Sequence, residues 1–154
     1  MIPPISFATA TSLRRFNSVV ELRKHLKKLY DDALQEMDKV NSTIGLVMRD
    51  NPDETQEQSV KGWVKFGNVF VNKSDTERAT LDILFAIHRE MKPRIARIEG
   101  ALKSAEKLDE LGIYPEEPMI LMERFGVPER FIALKVDDAE KREKFSLKET
   151  YVTK

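Results

Sequence analysis

The stretch Gly62–Trp–Val–Lys–Phe–Gly–Asn–Val–Phe–Val–Asn–Lys73 places the tightest constraint on how this chain can fold. Two extended runs flank Gly67–Asn68, a pair that signals a two-residue turn. Glycine accepts a positive φ without a Cβ clash, and asparagine tolerates one better than most residues. A loop that short fixes the register, so Phe66 is predicted to face Val69, Lys65 to face Phe70, and Val64 to face Val71. Side chains alternate across a strand. One face then carries Val64, Phe66, Val69 and Val71, and the other carries Trp63, Lys65, Phe70 and Asn72. A lone hairpin is marginal in water. The first face is therefore expected to be covered, either by helix residues of this chain or by a neighbouring subunit.

Helical patterns lie on both sides. Ser18–Val–Val–Glu21 fits a capping box, and an apolar seam follows through Leu26, Tyr30, Ala33, Met37, Val40, Ile44 and Val47 in alternating steps of four and three. The spacing predicts a helix from Ser18 to about Arg49, roughly 45–50 Å long at the usual rise. Ser74–Asp–Thr–Glu77 reads as a second capping box. Its seam runs Leu81, Leu84, His88, Met91, Ile95, Ile98, Leu102 and Ala105, which predicts a helix to about Leu111, stopped by Gly112 and Pro115. Extra apolar residues at Ile83, Phe85 and Ile87 widen this face, so Leu81–Ile87 is where the hairpin is expected to pack. Pro93 interrupts the pattern without breaking its phase, which predicts a kink or a restart there. His88 reads as a polar seam residue that sets register, and His25 as surface.

The chain before Ser18 has no acidic residue and includes Arg14–Arg15. That is the compositional bias of a mitochondrial transit peptide, set against a flexible or docking arm. Arg14, Arg15, Arg23, Lys24, Lys27 and Lys28 together form a basic edge that could meet phosphate or an acidic partner surface; the alternative is a solvated helix face. Beyond Gly112, Pro118–Met–Ile–Leu–Met–Glu–Arg–Phe125 reads as a short helix, apolar almost all round, with Met119 and Met122 as adaptable contact residues. Phe131–Val136 and Phe145–Val152 have strand composition and suggest a second, looser hairpin.

Composition narrows the function. Lys plus Arg and Asp plus Glu are 26 each, so the formal net charge is zero, which argues against simple coating of nucleic acid or an anionic membrane. With no cysteine in the chain, thiol catalysis, disulfides and cysteine-ligated zinc are excluded. There is no glycine-rich phosphate loop, nucleophile motif or metal-ligand cluster. No cofactor or metal is implied.

Helix, hairpin and helix in that order, with Phe66–Gly–Asn–Val–Phe–Val–Asn–Lys–Ser74 at the bend, resembles the prefoldin family over about residues 19–111. The resemblance implies hairpins of several subunits pairing edge to edge into a platform. Coiled coils would project from it, with tips at Val19–Leu29 and Ala105–Gly112 that hold unfolded clients. Pro93, the basic arm and the tail from Tyr114 depart from that pattern.

The expected fold is mainly α: an antiparallel two-helix coiled coil joined through a tight hairpin, plus the short helix and second hairpin. Its divisions are a basic arm over 1–17, the helix–hairpin–helix unit over 18–112 and an extension over 113–154. The expected function is a non-enzymatic, cytoplasmic subunit of a multi-protein assembly, a prefoldin-like co-chaperone or assembly factor. It would bind protein subunits in a homo- or hetero-oligomer through Val64, Phe66, Val69, Phe70 and Val71. The alternatives are a nucleic-acid- or ribosome-associated protein using the basic edge, and a small α+β binding domain or enzyme.

Overall fold

A computed structural model describes residues 10–51, 62–134 and 151–153, the last three as backbone. Its elements are β1 (Thr11–Phe16), α1 (Val19–Asp50), β2 (Trp63–Phe66), β3 (Val69–Asn72), α2 (Thr76–Glu106), a 3-10 turn (Leu108–Leu111), β4 (Met119–Arg124), β5 (Val127–Ala133) and β6 (Tyr151–Thr153). The chain divides into two compact units, Met1–Asp31 with Ala96–Lys154, and Asp32–Ile95. Each long helix lends one part to each unit.

The first unit overturns the mainly α expectation. It is built on a four-stranded antiparallel sheet in the order β5-β4-β1-β6, which makes the protein α+β. Two segments were misassigned from sequence, each for a physical reason. The basic arm supplies β1, because Thr11–Phe16 pairs along its whole length with β4, Phe16 opposite Met119 and Arg14 opposite Leu121. Met119–Arg124 is a strand rather than a helix. It is the inner strand between β5 and β1, where apolar side chains are wanted on both faces, and a short all-apolar run fits that role as well as a buried helix. Met119, Ile120 and Leu121 are all buried.

The expected second hairpin is also corrected. Phe131–Ala133 belongs to β5, which pairs with β4, whereas β6 pairs with β1. The connection Asp137–Lys144 lies outside the described residues. Pro128 is accommodated because β5 is an edge strand and the β4–β5 register shifts between Met122 and Glu123 beside it. One face of this sheet packs on helix: Val19, Leu22, Leu26, Ala105, Leu108, Met119 and Leu121 form a buried cluster, with Phe16, Leu29, Leu102, Phe131 and Ala133 against it.

In the second unit, Ile44 of α1 packs with Leu81 and Phe85 of α2, and Val40, Val47, Met48 and Leu84 surround them. The seam positions singled out by spacing are all buried or half-buried in the two helices. The α1 start follows the expected capping logic, Ser18 Oγ accepting the Glu21 N–H at 3.2 Å. At α2 the cap is Asp75 rather than Ser74, its Oδ1 accepting the Arg78 N–H at 3.0 Å. Helix α2 is not divided at Pro93. It ends at Glu106, and the 3-10 turn that follows closes on Gly112 at φ 74°.

The β4–β5 turn, Phe125–Gly126, has both residues at positive φ, 52° and 76°. Two-residue turns of this kind favour Asn-Gly, because a Cβ in the left-handed region costs roughly 1–2 kcal/mol. Phe125 is 71% exposed, so it recovers little by packing. Phe125→Asn is expected to raise unfolding stability by about 1 kcal/mol in a denaturant titration. A loss of stability would show instead that the ring does more for the fold than its exposure indicates.

Candidate interaction surface

The β2–β3 hairpin has the register expected from its loop: Phe66 faces Val69, Lys65 faces Phe70, Val64 faces Val71 and Trp63 faces Asn72. Gly67 takes the positive φ, 61°, and Asn68 does not, which fits a turn that needs glycine only at its first central position. Gly62, at φ 83°, lets the chain enter close to Ser74; a Cβ there would stand 2.5 Å from the Ser74 hydroxyl.

Polar bonds hold the base of the hairpin. The Trp63 indole donates to Asp82 Oδ2 at 2.9 Å. The other Asp82 oxygen accepts from Arg78 Nε and Nη2, both at 3.1 Å. Asp82 and Arg78 are both buried. Across the strand pair, Asn72 Oδ1 accepts the N–H groups of Ser74 at 3.1 Å and Asp75 at 3.2 Å. The hairpin is thus tied to the start of α2 through Trp63 and Asn72, which lie on the face opposite Val64, Phe66, Val69 and Val71.

The expectation that Leu81–Ile87 covers the apolar face is therefore overturned. Leu81 and Phe85 are taken up by Ile44, and Asp82 holds Trp63. Ile83 and Ile87 stay exposed. Among the described residues nothing covers the face: Phe66 is 75% exposed, Val64 62%, Val69 56% and Val71 43%, and Phe70 on the other side is 67% exposed.

The other candidate residues are placed as follows. Met119 is fully buried in the first unit's core and is no contact residue, while Met122 is half-buried. The basic edge is largely engaged. Arg14 points to His25, Arg15 bonds Asn17, and Arg23 Nε donates to the Ala105 carbonyl at 2.9 Å, satisfying the C-terminal end of α2. Lys27 pairs with Asp31 at 3.0 Å and lies over the Tyr30 ring. Lys24 and Lys28 are exposed. Val20, Arg23, Lys24, Lys27, Leu102 and Glu106 line an open depression of about 390 Å³.

His25, expected at the surface, joins three elements of the first unit. Its Nε2 lies 2.7 Å from Glu123 Oε1 on β4, and Arg14 Nη1 on β1 lies 3.0 Å from its Nδ1. Arginine has only donors. Nδ1 therefore accepts, and the ring proton sits on Nε2, donating to Glu123. Both ring nitrogens are used, so the group serves as a tie rather than a base presented to a substrate. Its sequence signal was hidden, because Arg14, His25 and Glu123 come together only through the β1–β4 pairing. Asp82 had a legible signal: it is an acid inside the apolar run Leu81–Ile87, four residues from Arg78.

No described helix is long and apolar enough to cross a membrane. No family model, curated protein or solved structure matches the chain.

Two expectations follow from this geometry. Asp82→Ala removes the acceptor of the chain's single tryptophan and leaves Arg78 buried without its carboxylate, at a cost of about 3 kcal/mol. Under native conditions the Trp63 emission is expected to shift to the red while helical circular dichroism is kept; unchanged emission would contradict the anchoring role. His25→Ala and Glu123→Ala are each expected to cost about 2 kcal/mol. The double variant should fall short of their sum by about 1 kcal/mol, and additive losses would show that the two side chains act independently.

Proposed function

We propose that this chain is a non-enzymatic subunit of a multi-protein assembly, and that the β2–β3 hairpin is its docking surface. The observation that carries the reading is the bare face of Val64, Phe66, Val69 and Val71. Single exposed apolar residues are ordinary, but a contiguous patch on a two-stranded sheet marks a contact site. The patch carries no charge of its own. It is also held in place, since Trp63 fixes the hairpin base through a half-buried bond to Asp82 and Asn72 through bonds to the Ser74 and Asp75 amides. A face that served only to fold the hairpin onto α2 would be turned inward.

The prefoldin-like role of co-chaperone or assembly factor belongs to the same reading, but the proposal rests on the exposed surface. The four-stranded sheet has no counterpart in that family's pattern. The nucleic-acid alternative is weakened because Arg14, Arg15, Arg23 and Lys27 are engaged within the chain. An α+β fold by itself carries no activity.

The test is affinity isolation of the tagged full chain and of its Phe66→Asp variant from the source cells, with mass spectrometry and stoichiometry. The wild-type chain is expected to return a defined set of proteins in fixed ratio, and the variant to lose them while remaining folded. Identical sets from both, or no stoichiometric partner for either, would contradict the proposal.

A further inference from the structure

Among the described residues, β5 is the last strand of the first unit's sheet on its side. The Leu134 N–H donates to the Pro118 carbonyl at 3.0 Å, toward β4. Backbone groups alternate between the two sides of a strand. Those of Ile132, which lies opposite Ile120, therefore also face β4. The N–H and C=O of Phe131 and Ala133 face the outer edge, where nothing among the described residues pairs with them.

The two halves of β5 are guarded differently. Natural edge strands resist pairing through charge, proline or a bulge. The first half has all three: Pro128, which offers no N–H, the charged Glu129 and Arg130, and the shift of register opposite Met122 and Glu123. Phe131–Ile132–Ala133 has none. The open edge is thus confined to two donors and two acceptors at the end of the strand.

Beside this edge lies an open depression of about 340 Å³, lined by Arg97, Ala101 and Ser104 of α2 and by Pro128, Glu129 and Phe131 of β5. The small side chains of Ala101 and Ser104 leave room on the helix side. Glu129 pairs with Arg124 at 3.4 Å. Arg97 is exposed, no acidic residue stands three or four positions from it on α2, and among the described residues it has no ion pair.

We infer that this edge and its depression dock an extended peptide of a partner protein. The peptide adds a strand beside Phe131–Ala133 and meets Arg97 with a carboxylate. In strand addition, main-chain bonds supply affinity and pockets for alternate side chains supply selectivity. One set of the peptide's side chains enters the depression beside Phe131. The other set lies on the opposite sheet face beside Ile132, which is 49% exposed. The occupant is therefore apolar at alternate positions and acidic at one flank. A small molecule could use the depression but would leave the four backbone groups of the edge unpaired. The site lies wholly in the first unit and does not depend on the role proposed for the hairpin.

Amide exchange and peptide selection on the full-length chain test this. In the free chain the Phe131 and Ala133 amides should exchange fast, and those of Ile132 and Leu134 slowly. A random-peptide library displayed on phage should enrich sequences with β-branched or aromatic residues at alternate positions and Asp or Glu at one flank. The strongest of these, made synthetically, should slow exchange at Phe131 and Ala133. Ala133→Pro removes one outward N–H and leaves the bonds to β4 in place. It should weaken that peptide at least about tenfold with unchanged circular dichroism. Arg97→Glu should turn the selection from acidic to basic peptides. Phe66→Asp should bind the peptide as the wild type does, which keeps this site separate from the hairpin.

Slow exchange at Phe131 and Ala133 in the free chain would show that the edge is already covered and overturn the inference. Failure to enrich any peptide, full affinity after Ala133→Pro, or the same peptides from Arg97→Glu would overturn it as well. Loss of the peptide in Phe66→Asp would place it on the hairpin instead.

Discussion

The Asp82 carboxylate decides which way the hairpin faces. One of its oxygens takes the Trp63 indole and the other takes the Arg78 guanidinium. Asp82 and Arg78 are both buried, and removing either would take the paired charge from the other in a low-dielectric setting. Because that bond is made from the Trp63 face, the hairpin is held by its mixed polar side. Val64, Phe66, Val69 and Val71 are left on the outside. An apolar contact would have held it the other way round, and the protein would then offer no surface of this kind. The second tie, from Asn72 to the amides of Ser74 and Asp75, acts at the same base and leaves the tip residues Phe66 and Val69 untouched.

The first unit follows a different logic. Its core is a helix layer on one face of a sheet, with Met119 and Leu121 from β4 meeting Val19, Leu22 and Leu26 from α1 and Ala105 from α2. The same sheet face continues to Glu123, where apolar packing gives way to the Glu123–His25–Arg14 tie. Glu123 is buried and His25 largely so, and a buried carboxylate needs partners. The tie links β1 and α1, which follow one another in the chain, to β4, 98 residues beyond His25 at Glu123. Arg23, capping the Ala105 carbonyl, links the two helices within this unit. The basic residues near the start of the chain thus serve the fold before any partner.

Local signals were legible in the sequence and long-range ones were not. The Gly67–Asn68 loop fixed the hairpin register, and alternate steps of three and four picked out helix positions that are buried or half-buried. Thr11–Phe16 failed as a reading because a strand in a mixed polar segment is defined by its neighbour, and that neighbour, β4, lies more than a hundred residues away. Met119–Leu121 failed because a run apolar on all sides fits a buried helix and an inner strand equally well. The destination of the hairpin's apolar face was misread for a third reason. The apolar residues of Leu81–Ile87 look available in the sequence, but Ile44 of α1 packs on Leu81 and Phe85. The candidate residues on the hairpin are visible from alternation alone; the acid that aims them, Asp82, shows in the sequence as a charge inside an apolar run, but its bond to Trp63 does not.

The central claim is that the Val64–Phe66–Val69–Val71 face is open in the isolated chain and covered in its native assembly. Hydroxyl-radical footprinting of Phe66, compared between the purified chain and the complex isolated from cells, tests it most directly. The account predicts strong labelling of Phe66 in the purified chain and marked protection in the complex, with Leu22 and Leu121 protected in both. Protection of Phe66 in the isolated chain, or equal labelling in the two states, would contradict it.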